Sequence, residues 1–166
     1  MYVLQSVSMC WKLILEQKYC QRTTVVKNLV KLKMEENEDD VDAWKWLKDL
    51  ITSLGERGMS SEESGVENEV EVVLRVKNLP WCRSIERELD LIDLQRLLDG
   101  DIFAPQGARP LRRIRVPGNL ASARPAVKGL PIALYDRSWI AELSQRQLEA
   151  LHIADTPFPW MKIAVS

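Results

Sequence analysis

The stretch "GMSSEESGVENEVEVVLRVKN" (Gly58–Asn78) decides how the chain is divided. Its second half alternates. Val70, Val72, Leu74 and Val76 fall on one face, and Glu71, Arg75 and Lys77 on the other, the period of two of a half-buried strand. Its first half holds serines, glutamates and glycines and nearly no large apolar residue, so 56–69 reads as an acidic linker. A lone strand is not stable. Residues 70–77 must therefore pair with another segment, for which "TPFPWMKIAV" near the C-terminus is a candidate, or self-associate with a second chain. Ser60 and Ser64 each have a glutamate three residues on, the pattern that acid-directed kinases favour. They are candidate phosphorylation sites. Plain spacer is the competing reading.

Upstream, residues 1–55 read as a helical segment. Val3, Val7, Cys10, Trp11, Ile14 and Leu15 recur at helical steps, and Val25, Val26, Leu29, Val30, Leu32 and Met34 make a second stripe. Arg22, Lys27, Lys31 and Lys33 supply its wet face, and Thr23 or Thr24 is a candidate cap, so one or two helices are expected. The acids of "EENEDD" (35–40) precede the next helix and favour its positive end. Within "DVDAWKWLKDLITSLGE", Trp44, Leu47, Ile51 and Leu54 form the apolar stripe, and Gly55 and Gly58 the stop.

Downstream, residues 70–166 form a second segment. "SIERELDLIDLQRLLDG" predicts a helix with Ser84 as N-cap and Gly100 as stop, and its wide apolar arc predicts burial on more than one side. Residues 104–131 contain Pro105, Pro110, Pro117, Pro125 and Pro131, which break regular elements. Between Pro105 and Lys128 the chain carries arginines and no acid, so this is an extended basic arm, laid on the surface or free. "YDRSWIAEL" predicts a short helix, and Ser144 with Gln147 a capping box for the next. The expected fold class is mainly α with a minor β element (α+β), as one cooperative domain or two small packets.

Composition narrows the function classes. Apolar residues at 46% allow a core in 166 residues, and a net charge of −1 gives no global pull toward nucleic acid or acidic membranes. No window is long and apolar enough for a membrane span, and the N-terminus lacks the basic start of a signal peptide. Cys10, Cys20 and Cys82 are widely spaced, which fits a reducing compartment. The expectation is an intracellular protein, cytoplasmic or nuclear, and not secreted.

Chemistry-bearing patterns are sparse. His152, the single histidine, sits near a helix end, where a structural role is usual. No nucleophile elbow, Walker loop or dinucleotide-binding glycine pattern occurs, so no catalytic residue, cofactor or metal is assigned. Glu88, Asp90 and Asp93 share one helix, but a metal site needs several converging acids and a solvated helix face needs nothing, so the solvated face is the preferred reading. The strongest charge signal is "ARPLRRIR". Arg109, Arg112, Arg113 and Arg115 could follow nucleic-acid phosphates, meet an acidic partner, serve nuclear targeting, or fold back on the chain's own acids. Trp44, Trp81, Trp139 and Trp160 read as core anchors.

The blocks "DVDAWKWL", "LRVKNLPWCRSIERELDLIDLQRL", "DIFAPQGARPLRRIR", "GLPIALYD" and "PFPWMKI" resemble a large uncharacterised protein family of mushroom-forming (basidiomycete) fungi, from about residue 35 onward. Cys82 stands where an arginine is common in that family. The resemblance implies no reaction or catalytic residue. It implies a many-copy, mobile-element-associated origin, makes secretion less expected, and slightly favours nuclear or nucleic-acid roles. Three functions follow as expectations: a non-enzymatic interaction or regulatory protein with a protein partner; a nucleic-acid-associated protein, or a mobile-element-derived fragment, acting through the arginine arm; and a metal-dependent hydrolase.

Overall fold

The computed structural model describes residues 2–60, 62–67, 71–99, 112–115 and 121–163, with backbone alone for 2–14, 62–67, 71 and 115. It is mainly helical with a minor sheet. The chain divides into two compact units, Met1–Met59 and Ser60–Ser166.

In the first unit α1 (Tyr2–Glu35) is one continuous helix. Thr24 lies inside it, its hydroxyl donating to the Cys20 carbonyl at 2.8 Å, so neither threonine divides the helix. Val25, Val26, Leu29 and Val30 are buried, whereas Leu32 and Met34 are exposed and end the stripe early. Arg22 corrects the sequence reading: it is buried, with Nη1 donating to Met59 Sδ at 3.2 Å. A long apolar stem lets a guanidinium sit in such a place when its head finds partners. The side chains of Val3 to Ile14 lie outside the described set.

The acidic block makes the turn between α1 and α2 (Val41–Leu54). Asn37 adopts a left-handed φ of 54°, which asparagine tolerates better than most residues. Lys33 reaches back to Glu38 at 2.9 Å and Asp40 at 3.0 Å. The hydrogen bond to Glu38, then that to Asp40, holds the Lys33 ammonium above its ordinary range. Helix α2 packs on α1 and buries Trp44, Trp46, Leu47, Leu50, Ile51 and Leu54, a wider arc than its four-residue stripe suggested. Gly55 stops it at φ 62°. At Gly58 an added Cβ would stand 2.7 Å from Leu54 Cβ, so close approach excludes a larger residue.

The second unit is built on a three-stranded sheet ordered β1-β2-β3. β1 (Glu62–Glu67) lies inside the segment read as linker, and it pairs antiparallel with β2 (Glu71–Val76). Polar composition hid a strand that is tied to β2 by backbone pairing. Among the described residues the C-terminal segment does not pair with β2. Its other neighbour is β3 (Arg113–Arg115), parallel, with Leu74 opposite Arg113 and Val76 opposite Arg115. Parallel strands need a crossover. That crossover contains α3 (Glu86–Leu98).

Three consequences correct the sequence reading. Among the described residues β2 is the central strand, paired with β1 over 71–76 and with β3 over 74–76, so over 74–76 both edges are occupied and self-association there has no free edge to use. Val73, which alternates with Glu71 and Arg75, is fully buried, as is Val76 on the opposite face, while Val72 is half exposed. A strand flanked on both sides reads as a continuous apolar run rather than an alternation. The basic arm is no free tether at 112–115: Leu74 N–H donates to the Arg112 carbonyl at 2.9 Å, and parallel pairing recurs at Asn78 and Ala121.

Helix α3 starts at Glu86 with Ile85 in the cap position. Ser84 does not cap it; its hydroxyl meets the Glu86 carboxylate instead. Leu89 and Ile92 are buried, but Leu94 and Leu98 are exposed, Leu98 at 69%. The wide arc is thus buried on one side only. Gly100 lies outside the described residues. The predicted short helices are present as α4 (Arg137–Glu142), capped by Asp136, and α5 (Gln145–Ala150), opened by the Ser144–Gln147 capping box. No helix among the described residues is long and apolar enough to cross a membrane.

Candidate functional site

Two segments of the second unit come together without forming named strands. Trp81–Arg83 runs antiparallel to Leu134–Asp136: Arg83 N–H donates to the Leu134 carbonyl and Asp136 N–H to the Trp81 carbonyl, each at 2.9 Å, across a Cys82–Tyr135 bridge. Below this junction lie buried rings. Trp81 and Tyr135 meet at 6.2 Å between centroids, and Tyr135 and Trp139 stack at 6.3 Å. The Tyr135 hydroxyl donates to the Val127 carbonyl at 2.6 Å and accepts from Leu130 N–H at 3.4 Å, fastening the chain ahead of Pro131. Burial pushes the Tyr135 phenol above its ordinary range, with the Leu130 bond opposing. The junction is tied by its backbone hydrogen bonds, the Tyr135 hydroxyl and the ring contacts, and the buried Trp81 indole N–H is left without a partner.

Against it opens a cleft of about 650 Å³ lined by Arg83, Ser84, Ile132, Ala133, Tyr135, Asp136, Arg137 and Ile140. The volume suits a small molecule or a short stretch of peptide. Arg83 lies over the Trp160 ring, 3.7 Å from its centroid, and its Nη1 reaches the Ala133 carbonyl at 3.5 Å. A cation over an indole face is held by the ring quadrupole. Asp136 Oδ1 accepts from Trp139 N–H at 2.8 Å as the cap of α4. Ile132, 55% exposed, carries the apolar wall out to solvent.

The residues singled out from sequence do not gather into one site. Ser60 is buried, 5% exposed, so a kinase would have to open its surroundings to reach it. Ser64 is in β1 opposite Leu74, its side chain outside the described set. Arg113 is buried and paired with Asp93, Nη1 to Oδ1 at 3.3 Å, which clamps β3 to α3. Arg112 is exposed, Arg115 is placed by backbone alone opposite Val76, and Arg109 lies outside the described residues. β2 stands between the acidic β1 and the basic β3, so these two segments share a sheet without pairing.

The acids of α3 separate in the same way. Asp93 faces Arg113 and Asp90 is exposed. Among the described residues no three histidine, cysteine, aspartate or glutamate side chains converge as a metal site would require. His152 takes a left-handed φ of 48° just past α5, its N–H donating to the Glu149 carbonyl, a helix-ending backbone role with the ring exposed. The cleft was not legible as a site. Trp160 read as core, whereas it is half-buried and serves as the platform for Arg83, which no local pattern distinguished. Comparison with known proteins adds no relative: no family model, no curated protein and no solved structure matches the chain.

Proposed function

We propose that the chain is a non-enzymatic interaction protein that holds a segment of a partner protein in the cleft between Trp81–Ser84 and Ile132–Ile140. The observation that carries this reading is Arg83 fixed over Trp160 at the wall of a partly apolar opening. Such an arrangement supplies a preoriented charge beside apolar surface, so little ordering is needed when a segment binds. The arginine arm is the weaker basis for binding, because Arg113 is engaged with Asp93.

Selection of peptides from a displayed random library on the full chain tests the reading. Ile140 lines the cleft. Selected peptides are expected to lose binding to Ile140→Arg, which fills it, and to keep binding to Arg112→Ala. Equal binding to the Ile140→Arg chain, or no selected peptide, overturns the proposal.

A further inference from the structure

Resting on that reading, we infer that the segment held in the cleft presents a carboxylate, an aspartate or glutamate next to an apolar residue. Among the described residues the cleft wall carries two guanidinium groups, Arg83 and Arg137, and one carboxylate, Asp136. Two cations elsewhere show the usual arrangement: Lys33 has Glu38 and Asp40, and Arg113 has Asp93. Arg83 has the Trp160 ring and a carbonyl, and Arg137 has no ion-pair partner among the described residues. Asp136 accepts from the Trp139 N–H rather than pairing directly with either arginine, so its charge offsets one of the two only at a distance.

The occupant's charge follows from this balance. Two arginines against one aspartate leave a single positive charge, which one carboxylate matches and a doubly charged phosphate exceeds. A guanidinium presents a planar fork of N–H groups, the shape that takes a carboxylate edge-on. Ile132 and Ile140 offer apolar surface beside the charge, and the exposure of Ile132 lets a bound chain continue outward. A free small acid would leave that apolar wall uncovered; a peptide covers it.

The test presents the full chain to immobilised short peptide pools with a central Leu-Z-Leu, where Z is glutamate, glutamine, phosphoserine or lysine. The glutamate pool is expected to retain the chain about tenfold more tightly than the glutamine pool, the size of one charge-assisted contact. Arg137→Ala should erase most of that preference, as should Arg83→Lys, which keeps the charge and loses the planar fork. Arg137 is exposed, so its removal leaves the fold intact even where a change at Arg83 does not. Equal retention of glutamate and glutamine pools, both lost with Ile140→Arg, overturns the inference and leaves the cleft reading standing. Preference for phosphoserine over glutamate overturns it in favour of a phosphate ligand. Retention of no pool overturns it outright.

Discussion

Replacing Asp93 by alanine is expected to destabilise the second unit by about 1.5–3 kcal/mol, the worth of a hydrogen bond to a charged group shielded from water. The Arg113 side chain is 5% exposed and meets Asp93 at 3.3 Å. Removing the carboxylate takes from the guanidinium its ion pair with Asp93, in a place that its side chain shares little with water. The damage should spread beyond the pair, because Arg113 is the first residue of β3 and Asp93 is on α3. Loss of the clamp frees the short third strand from the crossover helix, and protease cleavage near 112–115 should rise with the fall in stability. The double variant Asp93→Leu with Arg113→Met removes both charges together and should recover most of the loss, since apolar replacements of buried pairs are often neutral. Urea denaturation followed by circular dichroism measures both. A single variant within about 1 kcal/mol of the parent, the range of an exposed pair, would show that the contact contributes little.

The second large effect is expected at Trp81. Its indole is 2% exposed and packs against Tyr135 at a 56° tilt. Trp81→Ala empties a large volume under the cleft and should cost about 3–5 kcal/mol. Trp81→Phe should cost far less than the alanine change. The buried Nε1 has no hydrogen-bond partner, and an unmatched buried donor is worth about 1–3 kcal/mol against the fold. Phenylalanine deletes that donor while keeping an aromatic ring, so gain and lost volume oppose each other. A phenylalanine variant as unstable as the alanine one, in the same denaturation measurement, would contradict this account of Trp81.

Helices were legible where one face had to be apolar. Trp44, Leu47, Ile51 and Leu54 marked α2 because a helix repeats its buried face every three or four residues, and Ser144 with Gln147 marked α5 because a capping box is a local bond. The sheet was only half legible. β2 announced itself by its valines, but β1 is glutamate, serine and glycine with the single Val66, and its pairing follows from adjacency to β2 rather than from side-chain pattern. The partnership of β2 with β3 spans a crossover, and nothing in "RIR" encodes which strand it joins. The arginines looked like a binding surface for the same reason. Charge is visible in a sequence; the buried Asp93 that engages Arg113 is visible only once α3 and β3 are placed.

The cleft is the least local feature of all. Arg83, Ile132, Arg137 and Trp160 come from distant parts of the chain, and no spacing rule links them. Their meeting depends on the antiparallel junction of Trp81–Arg83 with Leu134–Asp136, which is held mainly by backbone hydrogen bonds. Backbone pairing of this kind leaves no signature in residue type.

The claim that this cleft, and not the arginine strand, is the binding surface is tested most directly by nuclear magnetic resonance of the full chain titrated with a Leu-Glu-Leu peptide. The account predicts shifts of the Trp160 indole signal and of the amides of Arg83 and Leu134–Arg137, with Arg112–Arg115 and α2 unmoved. Shifts confined to Arg112–Arg115, or none at the cleft at saturating peptide, would contradict it.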